Sequence, residues 1–159
     1  MRTEEIENLI AREVFPVRRY IVVPRIAWGL DGVDHECDLL AMSSSGVLQE
    51  IEIKISRSDL LAEKRKNHSH GSKTIRRLWF AVPAKMRDFA LLHIPAEAGL
   101  ISCSDDKQIY RKCEIVRRPR LRVGNKARPG MGEKMARLGL LRYWSLRFAF
   151  EKNQKRLVG

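Results

Sequence analysis

The sequence predicts an α/β domain built on a mixed central β-sheet flanked by helices, and three observations carry that prediction. Apolar runs with a period of two alternate along the chain with stretches of helical spacing. The run RLWFAV at 77–82 is apolar almost throughout, as a strand covered on both faces must be. The resulting order is helix, three strands, helix, strand, helix and two short strands. That order combines a hairpin with strands joined through helical crossovers.

The first helix runs from Thr3 to about Val14. Thr3 is placed to cap it, Glu4, Glu5 and Glu7 favour its positive end, and Ile6, Leu9, Ile10 and either Glu13 or Val14 form the inward stripe. Pro16 ends it. Residues 19–28 read as a strand in which Pro24 requires an edge position or a bulge. A polar loop over 29–34 leads to His35 and Glu36. His35 could touch a phosphate or a metal-bound water, or simply be exposed; Glu36 is a reserve ligand.

Residues 36–42 and 47–55 then form a hairpin around Ser43, Ser44, Ser45 and Gly46. Gly46 suits the left-handed position of a three-residue loop, which pairs Ser43 with Val47. Carried down the ladder, that register places Asp38 opposite Glu52. Two carboxylates so placed, with Cβ atoms about 5 Å apart, repel one another, and a bound cation removes the conflict. Glu50, Glu52 and Lys54 share one strand face; Ile51, Ile53 and Ile55 share the other and are core. A half-buried strand with one solvent face would show the same alternation. Asp38, Glu52 and the Ile53 carbonyl could ligate a hard divalent cation, with the Lys54 ammonium directed at the same place.

A capping box at Ser56, Arg57, Ser58 and Asp59 starts a helix that runs to about Asn67. His68 and His70 lie in the following polar loop without a cysteine or carboxylate at useful spacing. Pro83 ends the central strand, and a helix over 84–94 turns Phe89 and Leu92 to the sheet. Residues 100–103 and 109–117 are the last strands. Residues 1–118 thus make a core, and 119–159 a basic linker and C-terminal helical extension packed on the same domain. In that helix Met131, Met135, Leu138, Leu141 and Trp144 keep helical spacing, Gly139 is a place to bend, and Trp144 reads as core ahead of base stacking. The pattern could pack on the sheet, on a partner or on a second copy, so a homodimer is one outcome.

The 159 residues are 44% apolar, with no run long enough to cross a bilayer and no apolar leader in MRTEEIENL. Cys37, Cys103 and Cys113 show no paired metal spacing and leave an odd thiol, which points to a reducing cytoplasm and away from structural zinc. The net charge of +12 is unevenly placed: residues 1–110 carry 16 basic and 16 acidic side chains, residues 111–159 carry 15 and 3. A balanced part with a carboxylate cluster joined to a basic part suits a polyanion substrate. Lys64, Lys66, Lys73, Arg117, Arg118, Arg120 and Arg122 are the candidate phosphate contacts.

Asp38 followed by Glu52-Ile53-Lys54 resembles the PD-(D/E)xK nuclease superfamily. The longer string EIEIKISRSDLLAEKRK, with RLWFAVP and AGLI after it, is similar to the MmcB-like branch of DNA-repair-related and phage-borne proteins, over roughly Thr3 to Val116. The resemblance implies a restriction-endonuclease-like core, Mg²⁺ or Mn²⁺ held by Asp38, Glu52 and Ile53, Lys54 as a catalytic cation, and DNA as the substrate in a bacterial cytoplasm. Glu7 is the positional match to a first-helix glutamate that often approaches the metals. One departure is Cys37 where the family name implies proline, a change expected to affect local packing more than chemistry. A protein that kept the fold and bound DNA without cutting it is the alternative.

Overall fold

The computed structural model describes residues 1–26, 30–33, 35–63, 72–106, 108, 110 and 112–158, the side chains of 63 and 152–158 excepted. Its helices are α1 (Thr3–Leu9, continued by a π-helical turn at Ile10–Val14), α2 (Arg57–Glu63), α3 (Arg87–His93, preceded by a 3-10 turn at Ala84–Met86) and α4 (Met131–Val158). The strands are β1 (Tyr20–Ile26), β2 (Cys37–Ser43), β3 (Leu48–Ile53), β4 (Ile75–Pro83), β5 (Gly99–Cys103) and β6 (Cys113–Arg117). They form one six-stranded sheet in sequence order. β1, β2 and β3 are antiparallel neighbours; β3, β4 and β5 run parallel; β6 returns antiparallel to β5. The result is a mixed sheet flanked by helices.

The hairpin follows from its loop. Gly46 adopts φ +76°, its N–H donates to the Ser43 carbonyl at 2.9 Å, and the Ser43 N–H donates to the Val47 carbonyl at 3.1 Å. Leu39 therefore pairs with Ile51 and Leu40 with Glu50, and the ladder ends there, one residue before Asp38 and Glu52. Pro24 lies on β1, the edge strand, where its missing N–H costs the sheet nothing.

Every residue of β3 is buried. On one face Ile51 and Ile53 join Leu39, Trp79 and Ile101 beneath α1, which contributes Ile6, Leu9 and Ile10. The Trp79 indole N–H donates to Gln49 Oε1 at 3.1 Å within that layer. On the other face α4 covers β1 and β2 through Met131 and Met135, while α2 and α3 cover β4 and β5 through Leu60, Met86 and Ala90. Glu50, Glu52 and Lys54 point into that second layer and are buried. The alternation in β3 therefore reflects two buried faces, one of them charged, and no solvent face. α4 approaches β1 closely because it presents small residues there: a Cβ at Gly132 would stand 2.9 Å from Met42 Cε. Gly139 faces Val23, where a Cβ would make ordinary contact at 3.5 Å, and the helix runs on without a break.

Several expectations are corrected. Ile55 lies beyond the end of β3 and is exposed, and Leu92 is 81% exposed because α3 turns Met86 and Ala90 to the sheet instead. Thr3 is not the cap of α1: Arg2 precedes the helix, and its N–H donates to Glu5 Oε2 at 2.8 Å. Glu13 bonds the Lys112 and Cys113 N–H groups, anchoring β6 rather than filling the core. Trp144 is 48% exposed and stacks on Phe148, so it belongs to the uncovered part of α4. Lys64, Lys66, His68 and His70 lie outside the described residues.

Candidate functional site

The site begins where straight-strand parity fails. Val23 and Ile26 of β1 share one core cluster, as do Cys37 and Leu40 of β2, although each pair is three residues apart. In a regular strand such residues face opposite ways. The break falls at Arg25, which adopts φ +51°, and at Asp38, the one residue of β2 between the paired positions Cys37 and Leu39. Beyond the last ladder pair with β3, the Asp38 carboxylate turns onto that strand and accepts the Ile53 N–H at 2.8 Å. β3 has by then passed to its other neighbour, the Lys54 N–H donating to the Ala81 carbonyl at 2.9 Å.

Two groups of side chains result. In the first, Lys54 Nζ donates to Glu52 Oε2 at 2.8 Å, with both side chains almost wholly buried. Burial raises the Glu52 carboxyl to about 7; the Lys54 ammonium opposes that rise and the Asp38 charge adds to it. Glu7 approaches from α1. Its carboxyl is also raised by burial, with Arg25 opposing and the Glu4 and Asp38 charges adding. Glu7 Oε1 is buried without a hydrogen bond among the described residues, the Arg25 Nε lying 3.6 Å away. Asp38, Glu52 and Lys54 are thus brought together, and Glu7 lies within their electrostatic reach.

The second group was not anticipated. Among the described residues, His35, Cys37 and Glu50 are the group of three or more His, Cys, Asp or Glu whose ligand atoms converge, all within 4.8 Å of one another. His35 Nε2 stands 2.5 Å from Glu50 Oε1 and 3.9 Å from Cys37 Sγ. Burial, together with the Glu50, Glu52 and Asp38 charges, pushes the Cys37 thiol up. This nitrogen, sulfur and oxygen set could coordinate a divalent metal. Regular alternation would have put Cys37 on the face away from Glu50; the parity break brings it over. Glu36 stays exposed.

Among the described residues, the candidate phosphate contacts show no bond to the carboxylates. Lys73 and Arg122 belong to the opposite end of the sheet: the Asn125 N–H donates to the Lys73 carbonyl and the Arg122 N–H to the Arg76 carbonyl, near the start of β4. Ala81, beside Lys54, is five residues further along β4, about 16 Å at strand rise. Arg117 spends its guanidinium on the Ala98 and Pro95 carbonyls at 2.8 and 2.7 Å. Arg118 and Arg120 are exposed.

These features define an α/β protein with a six-stranded mixed sheet and a potential metal-binding cluster at the junction of β2 and β3. Among solved structures, a protein of unknown function from Silicibacter pomeroyi shares this fold, with a TM-score of 0.62 over 97% of this chain and 94% of that one, at 18% sequence identity. No protein-family model matches the chain, and no curated protein does. No helix among the described residues is long and apolar enough to cross a membrane.

Proposed function

We propose that the chain is a metal-dependent deoxyribonuclease with a restriction-endonuclease-like core, hydrolysing DNA phosphodiester bonds with Mg²⁺ or Mn²⁺. The observation that carries the reading is the meeting of Asp38, Glu52 and Lys54 where β2 and β3 part, each held by a specific bond. The donor set fits a hard cation, since two carboxylates and the Ile53 carbonyl are all oxygen ligands. The buried Glu7 Oε1 makes no hydrogen bond among the described residues and has only the Arg25 ion pair at 3.6 Å, which leaves it capacity for a further cationic partner in support of the same reading. When bound, the ion would polarise the phosphate and stabilise charge on the leaving oxygen.

The protein's own groups have separable tasks. The Ile53 N–H fixes the Asp38 carboxylate, so that one of its oxygens is oriented before any ligand arrives. Lys54 partly offsets the burial that raises the Glu52 carboxyl and, released toward a phosphate, offsets the charge that develops on it. Glu7 acts on the site through its charge. Arg118 and Arg120 serve as distant phosphate contacts on exposed surface.

A second reading, DNA binding without turnover, is favoured by one observation: the Lys54 side chain is 4% exposed and already committed to Glu52. Single-turnover cleavage of linear duplex, single-stranded, flap and four-way-junction DNA separates the two. The nuclease reading expects cleavage of at least one form with Mg²⁺ or Mn²⁺, and a loss of 10²-fold or more in Lys54→Ala at equal DNA occupancy, roughly the effect of removing one preorganised charge. Absence of cleavage on every form, from folded protein that binds the same DNA in titration, establishes the binding reading.

A further inference from the structure

We propose that His35, Cys37 and Glu50 form a binding site for a zinc-class transition-metal ion, distinct in ligands and in metal preference from the carboxylate pair at Asp38 and Glu52. Thiolate and imidazole suit a borderline-soft ion, whereas Mg²⁺ and Ca²⁺ seek oxygen throughout. Cys37 and Glu50 are fully buried, and the His35 side chain is 10% exposed. Three different ligand types therefore converge where little water can reach them.

One distance is close to what such an ion requires, and another must lengthen. Bonds of about 2.3 Å to sulfur and about 2.0 Å to nitrogen at a tetrahedral angle place those two atoms about 3.6 Å apart. Cys37 Sγ and His35 Nε2 are 3.9 Å apart. The 2.5 Å between His35 Nε2 and Glu50 Oε1 is shorter than two ligands of one ion would keep, at about 3.3 Å for bonds of this length. The two atoms must part by less than 1 Å, the ion taking the place of their direct contact. His35 precedes β2, outside any regular element, while Glu50 sits in mid-strand, so the shift falls to His35.

The backbone has made a specific accommodation for this cluster. The parity break at Arg25 and Asp38 carries Cys37 to the Glu50 side. An ion there would tie the loop at His35 and the first residue of β2 to the middle of β3. It would thereby fix the strand end that presents Asp38. The site's existence does not depend on whether the protein cuts DNA.

Cobalt supplies the test, because a cysteine thiolate on Co²⁺ gives a charge-transfer absorption that oxygen ligands do not. The full-length, chelator-treated chain should take up one equivalent of Co²⁺ with that absorption and release it to Zn²⁺. The band should persist in Cys103→Ser and in the Asp38→Asn plus Glu52→Gln variant. It should vanish in Cys37→Ser, and affinity should fall at least tenfold in His35→Gln, which alters only the loop ligand and covers the case in which the buried Cys37 substitution unfolds the chain. Circular dichroism of each variant establishes the fold. No thiolate band in the wild type overturns the proposal, as does one that survives Cys37→Ser, or one that is lost with Asp38 and Glu52 or with Cys103.

Discussion

Replacing Glu52 by Gln tests the electrostatics of the buried layer directly. Glu52 lies 4% exposed beside Lys54, and burial holds its carboxyl at about 7 against an ordinary 4.5. A carboxyl raised on folding binds its proton more tightly in the native state. It favours the fold fully below 4.5, and that contribution is lost as pH rises toward 7. At about 1.4 kcal/mol per unit, the loss across the window is about 3 kcal/mol. Gln cannot titrate. Denaturant unfolding of both proteins in chelator, at intervals from pH 4.5 to 7.5, should show the wild type losing about 3 kcal/mol relative to Glu52→Gln, then running parallel to it. Taking the difference cancels groups such as Glu4, Glu5 and Glu13, whose carboxyls are lowered and whose contributions run the opposite way. A flat difference, or one that grows in favour of the wild type with rising pH, would show that burial does not dominate at Glu52.

Further outcomes follow from the same geometry. Mg²⁺ or Mn²⁺ should raise the melting temperature of the wild type, worth about 2.7 kcal/mol at a hundredfold excess over Kd, and Asp38→Asn plus Glu52→Gln should lose most of that response; calorimetry giving equal Mg²⁺ binding in both would refute the assignment. Exchanging the exposed Arg118 and Arg120 for Ala should lower the salt slope of duplex DNA binding by up to about 0.9 per lost contact, and an unchanged slope in titrations at several salt concentrations removes them from the interface. Gly99→Ala places a Cβ 2.4 Å from Trp79 Cε3 and 2.8 Å from Pro119 Cδ. Its overpacking should cost about 1–3 kcal/mol in urea denaturation, and a variant as stable as wild type would show that Trp79 moves freely.

The sequence was most informative where local chemistry and long-range structure agree. Gly46 fixes the loop and the loop fixes the register as far as Leu39 and Ile51, so the approach of Asp38 to the end of β3 was legible from a few residues, while its bond to the Ile53 N–H was not. The edge position of β1 was legible from Pro24 and the cap of α2 from Ser56, whose hydroxyl accepts the Asp59 N–H at 3.1 Å. His35, Cys37 and Glu50 were not legible, because strict alternation separates Cys37 from Glu50 and the break in alternation at Asp38, opposite the left-handed Arg25 of β1, brings them together. Arginine at φ +51° has no sequence signature. The one available hint was spacing: His35 and Cys37 are two apart at the start of a strand. Leu92 and Trp144 misled for another reason. Large apolar side chains at helical spacing are ordinarily covered, and here the covering surface ends before they are reached.

α4 reaches about 42 Å at helical rise, yet the side chains that bury it, Met131 and Met135, lie in its first two turns. Beyond Leu138 the described side chains are exposed, including Leu140, Leu141, Tyr143, Trp144, Leu146, Phe148 and Phe150. Helical hydrogen bonds alone hold a segment only marginally in water, so the free energy of opening must decline along this helix instead of breaking at one point. Amide exchange would record it as a gradient: slow at Met135, whose neighbours belong to the domain, and quickening turn by turn toward the C-terminal end. Whatever surface later covered the aromatic residues would flatten that gradient, so the exchange profile of a single helix doubles as a gauge of its occupancy.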